Sequence, residues 1–148
     1  MTMQDCILCD IVKSGDAVVV YESAYSLCIL DLYPATKGHL LIFPKQHIER
    51  LHLINDNLMK NELLDTLVTG CKWLVESQLC TDYNVVQCNG PLANQEIQHV
   101  HFHVIPRYED DGIRIDLNDQ VECADRETLQ TICDELTRGK HEKTGPNR

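Results

Sequence analysis

The stretch that most constrains the fold is "HVHFHVI", residues 99–105, in which histidines alternate with apolar residues. A period of two residues indicates a β-strand, because successive side chains of a strand point to opposite faces. His99, His101 and His103 are therefore expected on one face of a strand that Pro106 closes. The opposite face, expected to pack beneath a helix, consists of Val100, Phe102 and Val104.

The spacing of the three histidines limits what they can bind together. Neighbouring members would lie ~6.6 Å apart along a strand and the outer pair ~13 Å apart. The nitrogen ligands of one zinc ion must approach each other within about 3.5 Å, so two of these histidines can share an ion but three cannot easily do so. Imidazole also transfers protons near neutral pH and acts as a nucleophile, which favours a phosphate site. The remaining alternative is three hydrogen-bonded histidines on an exposed strand.

Composition sets wider bounds. A chain of 148 residues with 43% hydrophobic and 24% charged residues indicates one compact globular domain. The net charge of −10 disfavours binding to long nucleic acids. No apolar run reaches the ~20 residues that span a membrane, and "MTMQDC" has no secretory signal pattern, so we expect a cytoplasmic protein without a membrane partner. Its eight cysteines are then expected to be reduced thiols or metal ligands.

The other elements follow from periodicity and turn residues. A long helix is expected after Asn55 or Asp56, either of which can cap it, and Gly70 within it is expected to let another element approach closely. A short helix is expected from Asp125, and residues 139–148 are expected to form a solvated tail after a single domain at 1–138. The expected strands lie in "AVVVYES", "AYSLCILDLYP", "HLLIFPKQH", "YNVVQCN" and "HVHFHVI". This order favours an α+β fold on an antiparallel sheet of about five strands.

Several motifs together carry a resemblance to a known family: "CILCDIVKSGD", "LDLYPATKGHLLIFPKQHIERL", "NGPLANQ" and "HVHFHVIPRY". The chain resembles the histidine triad (HIT) family, in particular the branch of small nucleotide-binding hydrolases typical of bacteria. The resemblance covers almost the whole chain. It implies a HIT-like fold and a homodimer in which two sheets join into one continuous layer.

The resemblance also implies an activity. The implied protein is a hydrolase or nucleotidyl transferase. It acts at the α-phosphate of a purine nucleotide, on a phosphoramidate or phosphoanhydride such as an AMP or GMP derivative. His101 matches the nucleophile, which forms a covalent nucleotidyl-histidine that water hydrolyses to release a nucleoside monophosphate. His103 matches the histidine that contacts the phosphate oxygens, and His99 and His39 match those that complete the network. The resemblance implies no metal in the chemistry itself.

The nucleotide-binding positions follow from the same resemblance. Asp31 matches the acid that holds both ribose hydroxyls, and its alternative role is a turn-forming aspartate before Pro34. Asn89, Gln95 and Glu96 belong to the expected nucleotide-binding loop. The positions that match the base pocket, for which ordinary core packing is the alternative, are Ile7, Leu8, Ile11, Leu30 and Leu32.

The loop before the triad departs from the family pattern. Cys88 stands where the family usually has Asn, and in "NQE" only Gln95 matches the usual Gly-Gln-Ser or Gly-Gln-Thr. Asn94 suits a turn that needs positive φ. Glu96 is expected to repel a phosphate unless it points away, pairs with Arg107 or is protonated and acts as an acid. These departures leave open a nucleotide- or partner-binding module with weak catalysis.

The pair in "CILC", Cys6 and Cys9, is a modest signal for zinc or redox chemistry, and the βαβ setting of redox pairs is absent. In HIT relatives with such a pair, the resemblance implies a structural zinc ion whose other ligands are His47 and His99. The alternative is two buried thiols. A catalytic zinc held by the triad is the least favoured hypothesis because of the strand spacing above.

Overall fold

This computed structural model describes residues 5–115, 117 and 121–138. The chain divides into two compact units, residues 1–113 and 114–148, and each is described by itself. The first unit contains one sheet of five strands in the order β1-β2-β3-β5-β4, and every neighbouring pair is antiparallel. The strands are β1 Val19–Glu22, β2 Ser26–Leu30, β3 Leu40–Pro44, β4 Asp82–Gln87 and β5 Phe102–Arg107. The predicted α+β class with an antiparallel sheet is confirmed.

Three helices accompany the sheet: α1 Ile7–Ser14, α2 Asn57–Glu76 and, in the second unit, α3 Arg126–Thr137. Of the two predicted caps for α2, it is Asp56 whose side chain accepts a hydrogen bond from the Met59 amide at 2.8 Å. Asp125 caps α3 in the same way, by accepting from the Thr128 amide. None of the described helices combines the length and apolarity needed to cross a membrane.

Both faces of the central strands are covered. Alternation along β2 and β3 sends one set of side chains toward α2 and the other toward α1. Gly70 of α2 lies against the sheet, because a Cβ added there would come within 3.2 Å of the Leu40 side chain and 3.3 Å of the Cys28 sulfur. The predicted close approach is confirmed. The core on the α2 side includes Cys28, Leu40, Ile42, Met59, Leu63, Val100 and Val104, and that on the α1 side includes Leu8, Leu27, Ile29, Leu41 and Phe43.

The triad strand begins and ends later than its sequence suggests. β5 begins at Phe102, so His99 and His101 precede it, and Pro106 lies inside it opposite Tyr83 of β4. Proline is tolerated there because β3 pairs only with residues 102–104. The Pro106 carbonyl on that side accepts a hydrogen bond from the Thr36 hydroxyl instead of a strand. The prediction that Pro106 closes the strand is wrong for this reason.

Helix α1 is absent from the sequence-based prediction. It has only eight residues, and Cys6 at its N-terminus makes no capping hydrogen bond with its side chain. Its clearest sequence signal is Gly15, which ends the helix in the left-handed conformation with φ 69°. The tail predicted at 139–148 lies outside the described residues, and the single domain at 1–138 stays a prediction.

Candidate active site and metal centre

His101 is held with one ring nitrogen toward the protein and the other toward a cavity. Its Nδ1 lies 2.6 Å from the carbonyl oxygen of His99. A carbonyl oxygen only accepts, so Nδ1 carries the hydrogen and Nε2 keeps its lone pair. Within the described part of the chain no group bonds to that Nε2, and His101 lines a cavity of about 370 Å³. The arrangement presents a nucleophilic nitrogen to whatever fills the cavity.

A chain of hydrogen bonds sets the tautomers of His39 and His103. The Ala35 amide donates to His39 Nδ1 at 3.0 Å, so the hydrogen of His39 is on Nε2. That Nε2 lies 2.9 Å from His103 Nδ1, which must accept. The hydrogen of His103 is therefore on its own Nε2. His103 also lines the cavity, and in this tautomer it is a hydrogen-bond donor suited to a phosphate oxygen.

Burial keeps these histidines neutral. Loss of hydration is the main cause that lowers the pKa of His103 to about 4, and the neighbouring His101 and His39 contribute in the same direction. Burial also lowers the pKa of His39 below 6.5, against the opposing effect of Asp31. The approach of His39 Nε2 to Asp31 Oδ2, at 3.5 Å, is thus a contact between a carboxylate and a neutral ring at pH 7.

Two cavities meet at Asp31. The cavity lined by His101 and His103 is called the histidine cavity. It shares Asp31, Tyr33, Leu41 and Ile97 with a second, mostly apolar cavity of about 380 Å³, called the apolar cavity. The structure brings together in this second cavity all five residues predicted for the base pocket, Ile7, Leu8, Ile11, Leu30 and Leu32. Sequence reasoning missed Tyr33, Leu41 and Ile97. Leu41 had a usable signal, because it follows His39 by two residues on a strand and so shares its face.

Asp31 performs the turn-forming role, and its ribose-binding role stays a prediction. Its Oδ1 accepts a hydrogen bond from the Tyr33 amide at 2.9 Å, which is the turn-forming role. Its Oδ2 lies toward His39 and His103, at 3.5 and 3.9 Å from their ring nitrogens. A carboxylate has about four lone-pair directions, so this residue keeps acceptor capacity at the junction of the cavities.

The loop that departs from the family pattern is tightly held. Asn94 has φ 59°, so the turn does require positive φ here, which asparagine tolerates. The buried Gln95 side chain accepts from the Gly90 amide at 2.7 Å and donates to the carbonyls of Glu49 and Ile97. Gln95 thus fixes the loop and does not line the histidine cavity.

Cys88 and Asn89 point to different places. Cys88 lines the histidine cavity, whereas the Asn89 side chain accepts from the Leu51 amide at 2.8 Å and bonds to Gln87. Because neighbouring residues of an extended chain face opposite sides, Asn89 cannot replace the asparagine that the family usually has at position 88. Sequence reasoning placed Asn89 among the nucleotide-binding residues, and the structure does not bring it to the cavity.

Glu96 lines the histidine cavity. The pairing with Arg107 that the sequence left open does not occur. Arg107 instead donates to both carboxylate oxygens of Asp111, at 2.8 and 3.1 Å, and to the Asn84 side chain at 2.7 Å. These contacts hold the pKa of Asp111 well below its usual range. No cation among the described residues pairs with Glu96.

A second cluster joins Cys6, which directly precedes α1, and Cys9 of α1 to two histidines. The ligand atoms of Cys6, Cys9, His47 and His99 all lie within 4.8 Å of one another. Cys9 Sγ is 3.3 Å from His47 Nδ1, and Cys6 Sγ is 3.4 Å from His99 Nδ1. Sulfur and nitrogen ligands of one tetrahedral zinc ion lie about 3.6 Å apart, so the separations fit. The predicted set forms a possible metal-binding cluster.

The surroundings of His99 prepare it as a ligand. Its Nε2 donates to the Pro44 carbonyl at 2.7 Å, so the lone pair is on Nδ1, which faces both cysteines. Burial lowers the pKa of His99 to about 4, which keeps the ring in the neutral form that binds metal. Burial raises the pKa of Cys9, so this thiol keeps its proton unless a cation replaces it. The residues fit a zinc ion of the structural kind.

Comparison with known proteins agrees with this geometry. A family model described as the HIT domain matches residues 12–110. The chain belongs to the histidine triad (HIT) family.

Individual relatives extend the comparison. A protein of Methanocaldococcus jannaschii described as an uncharacterized HIT-like protein is 46% identical over 111 residues, which cover 72% of this chain and 82% of that protein. The adenosine 5'-monophosphoramidase HNT1 of Saccharomyces cerevisiae is 41% identical over 106 residues, covering 71% of this chain and 64% of that enzyme. The crystal structure of a histidine triad nucleotide-binding protein from Candida albicans has a TM-score of 0.80 at 30% identity, over 93% of this chain and 99% of that one.

Proposed function

We propose that this protein hydrolyses a phosphoramidate or phosphoanhydride at the α-phosphate of a purine nucleotide, with His101 as the nucleophile. The observation that carries the proposal is the lone pair of His101 Nε2, which faces a cavity shared with the His103 donor. The yeast relative's name, adenosine 5'-monophosphoramidase, supports a hydrolase of this class. AMP and GMP derivatives remain equal candidates for the nucleotide.

The two cavities suit the parts of a nucleotide. The apolar cavity has the size and lining for a purine, and the histidine cavity has the donor for a phosphate. Asp31 lies at their junction, where a ribose would bridge them, and its free lone pairs accept two hydroxyl hydrogens. The substrate would therefore lie across Asp31 with its phosphorus beside His101.

The chemistry proceeds in two displacements. In the first, the lone pair of His101 Nε2 attacks phosphorus, the bond from phosphorus to the leaving nitrogen or oxygen breaks, and the leaving group takes a proton from solvent. His101 Nδ1 keeps its hydrogen on the His99 carbonyl, which offsets positive charge on the ring. In the second, water attacks phosphorus, the bond to Nε2 breaks, and the water proton returns to solvent. The nucleoside monophosphate is released and His101 is restored.

A zinc ion held by Cys6, Cys9, His47 and His99 would act in neither displacement. When bound it supplies a cross-link between α1 and the chain before β5. Since α1 also carries Ile7, Leu8 and Ile11, the same ligands hold one wall of the proposed base pocket in place.

The direct test is turnover of adenosine 5'-phosphoramidate by His101→Ala. The expected result is a loss of at least about a thousandfold in kcat with an unchanged melting temperature, because the variant lacks the imidazole nitrogen that attacks phosphorus. Turnover within tenfold of the parent would contradict the proposal. The alternative is a binding module in which Cys88 and Glu96 prevent catalysis. Tight binding of AMP by the parent, without hydrolysis of adenosine 5'-phosphoramidate or of a phosphoanhydride, would support it.

We also propose that the protein is a homodimer joined through β4. This strand is one edge of the sheet, and its exposed Tyr83 and Val85 adjoin an apolar face of α2. An uncovered edge of this kind invites pairing with another strand. The α2 residues exposed beside it are Val68 and Val75. Trp73 of α2 lies against Tyr21 of β1, at the opposite edge of the sheet.

The dimer is tested by mass measurement in solution. Val85→Glu is expected to shift the protein toward the monomer, because it buries a charge in the interface. Val19→Glu is the matched control, since Val19 lies on the opposite edge strand and is 43% exposed against 45% for Val85. A monomeric parent, or equal dissociation by both variants, would contradict the proposal.

A further inference from the structure

The histidine cavity is unusual in its charge for a site that would bind a phosphate. Two carboxylate residues, Asp31 and Glu96, line it, and no lysine or arginine of the described chain does. The lowered pKa values of His39 and His103 leave those rings neutral at pH 7. The cavity therefore offers hydrogen-bond donors without positive charge, and it disfavours ligands that bring several negative charges.

The two carboxylates differ in the cavities that they line. Asp31 also lines the apolar cavity, which is the proposed base pocket, whereas Glu96 lines the histidine cavity alone. Asn94 and Cys88, the other residues that depart from the family pattern, also line the histidine cavity and not the apolar one. A nucleotide with its base in the apolar cavity and its ribose at Asp31 would extend its leaving group toward Glu96.

The position of Glu96 is held by the two residues that precede it. Asn94 turns the chain in the left-handed conformation, and Gln95 fastens it to Gly90 and Glu49 through its buried side chain. Arg107 of β5, the cation that the sequence offered as a partner for Glu96, donates its hydrogen bonds to Asp111 and Asn84 instead. The Glu96 carboxylate is thus available to a ligand in the cavity.

We propose that Glu96 selects substrates whose leaving group is an amine bearing a further positive charge, such as the phosphoramidate of a diamine or of a basic side chain. This inference rests on the proposed function and narrows it. The bond from phosphorus to the amine nitrogen breaks as the bond to His101 Nε2 forms, and the amine takes one proton from solvent. The distant ammonium group is unchanged and pairs with Glu96. Anhydrides with an anionic leaving group meet repulsion from the same carboxylate.

The test compares three adenosine 5'-phosphoramidates of similar length, made from diaminopropane, butylamine and β-alanine. Their leaving groups end in a cation, a methyl group and a carboxylate. The parent is expected to hydrolyse the first with a kcat/KM about fivefold above the second, the size of one partly exposed charge pair, and to hydrolyse the third least well. Added salt should reduce the preference.

Glu96→Gln keeps the shape of the side chain and removes its charge, so the ratio between the first two substrates is expected to fall to about one. Glu109→Gln is the matched control, because it removes one exposed carboxylate outside the histidine cavity, and it should keep the parent's ratio. Equal ratios in the parent and in Glu96→Gln would overturn the inference while leaving the proposed function intact. A parent that hydrolyses none of the three would overturn both.

Discussion

Two clusters of this fold combine histidines with cysteines or an aspartate. Within each cluster, the side-chain atoms that could bind a metal lie within 4.8 Å of one another. The first group, Cys6, Cys9, His47 and His99, joins α1 to the chain before β5. The second group is Asp31, His39 and His103. By distance alone either group would qualify as a metal site, but their hydrogen bonds distinguish them.

In the first group the lone pairs converge. His99 donates a hydrogen bond from Nε2 to the Pro44 carbonyl, on the side away from the cysteines. The lone pair on its Nδ1 therefore faces the cysteines. In the second group hydrogens occupy the space between the rings. His39 accepts from the Ala35 amide and donates to His103, so no two lone pairs meet. The tautomers inferred from these hydrogen bonds therefore favour a possible metal-binding cluster in the first group and a hydrogen-bond relay in the second.

The largest expected effect is the loss of unfolding free energy when zinc is removed from the first group. At a free zinc concentration of about 1,000 times Kd, a bound ion adds about 4 kcal/mol to the free energy of unfolding. Denaturant unfolding with zinc and with chelator measures this value, and Cys6→Ser should abolish it. Cys133→Ser, which changes an exposed cysteine, should retain it. Identical unfolding curves of the parent in zinc and in chelator would contradict the assignment.

Loss of the relay is expected to reduce activity without reducing metal content. His39→Ala removes the donor that fixes the tautomer of His103, and loss of such an orienting partner typically costs about ten- to a hundredfold in activity. Steady-state kinetics and zinc analysis of the same samples measure both quantities. His52→Ala, at an exposed histidine, is the control. A fall in zinc content with His39→Ala would mean that the two groups are not separate.

A third effect is expected on the pH dependence of stability. The pKa of His103 is about 4 in the folded protein against 6.5 for a free histidine. Between those values the unfolded chain binds a proton that the folded chain does not, so stability falls as the pH drops from 6.5 to 4 and is unaffected above 6.5. One such group gives a slope of at most about 1.4 kcal/mol per pH unit, and His39 adds in the same direction.

His103→Gln removes this titrating group, so its stability should depend less on pH over the same window. Both proteins are measured by denaturant unfolding at saturating zinc, because the metal ligands titrate alike in both. Equal slopes in the parent and in His103→Gln would show that His103 is not held neutral by the fold.

Much of the fold was predictable because its signals are local. Alternation gave the sheet, the apolar stripe gave α2, and Asp56 and Asp125 gave the starts of two helices. Helix α1 was not predictable in this way, since Cys6 leaves its N-terminus without a side-chain cap. The end of β5 depended on a partner, because Pro106 is tolerated only where β3 has ceased to pair.

The candidate site divides similarly. Residue types and the family resemblance pointed to His101, to the base pocket and to the four residues of the metal cluster. They did not reveal which neighbour faces the cavity, as at Cys88 and Asn89, because that depends on where the extended chain leaves β4. They also did not reveal that the Gln95 side chain bonds to backbone groups or that Arg107 pairs with Asp111, since both depend on the folded structure.

The central claim is that His101 carries the nucleotide while His99 serves the metal cluster. Its most direct test is mass spectrometry of the enzyme stopped by alkali during turnover of adenosine 5'-phosphoramidate, followed by mapping of the modified peptide. The account predicts one adenylyl group on His101 in the parent and none in His101→Ala. Turnover without any adduct, or an adduct on another residue, would contradict it.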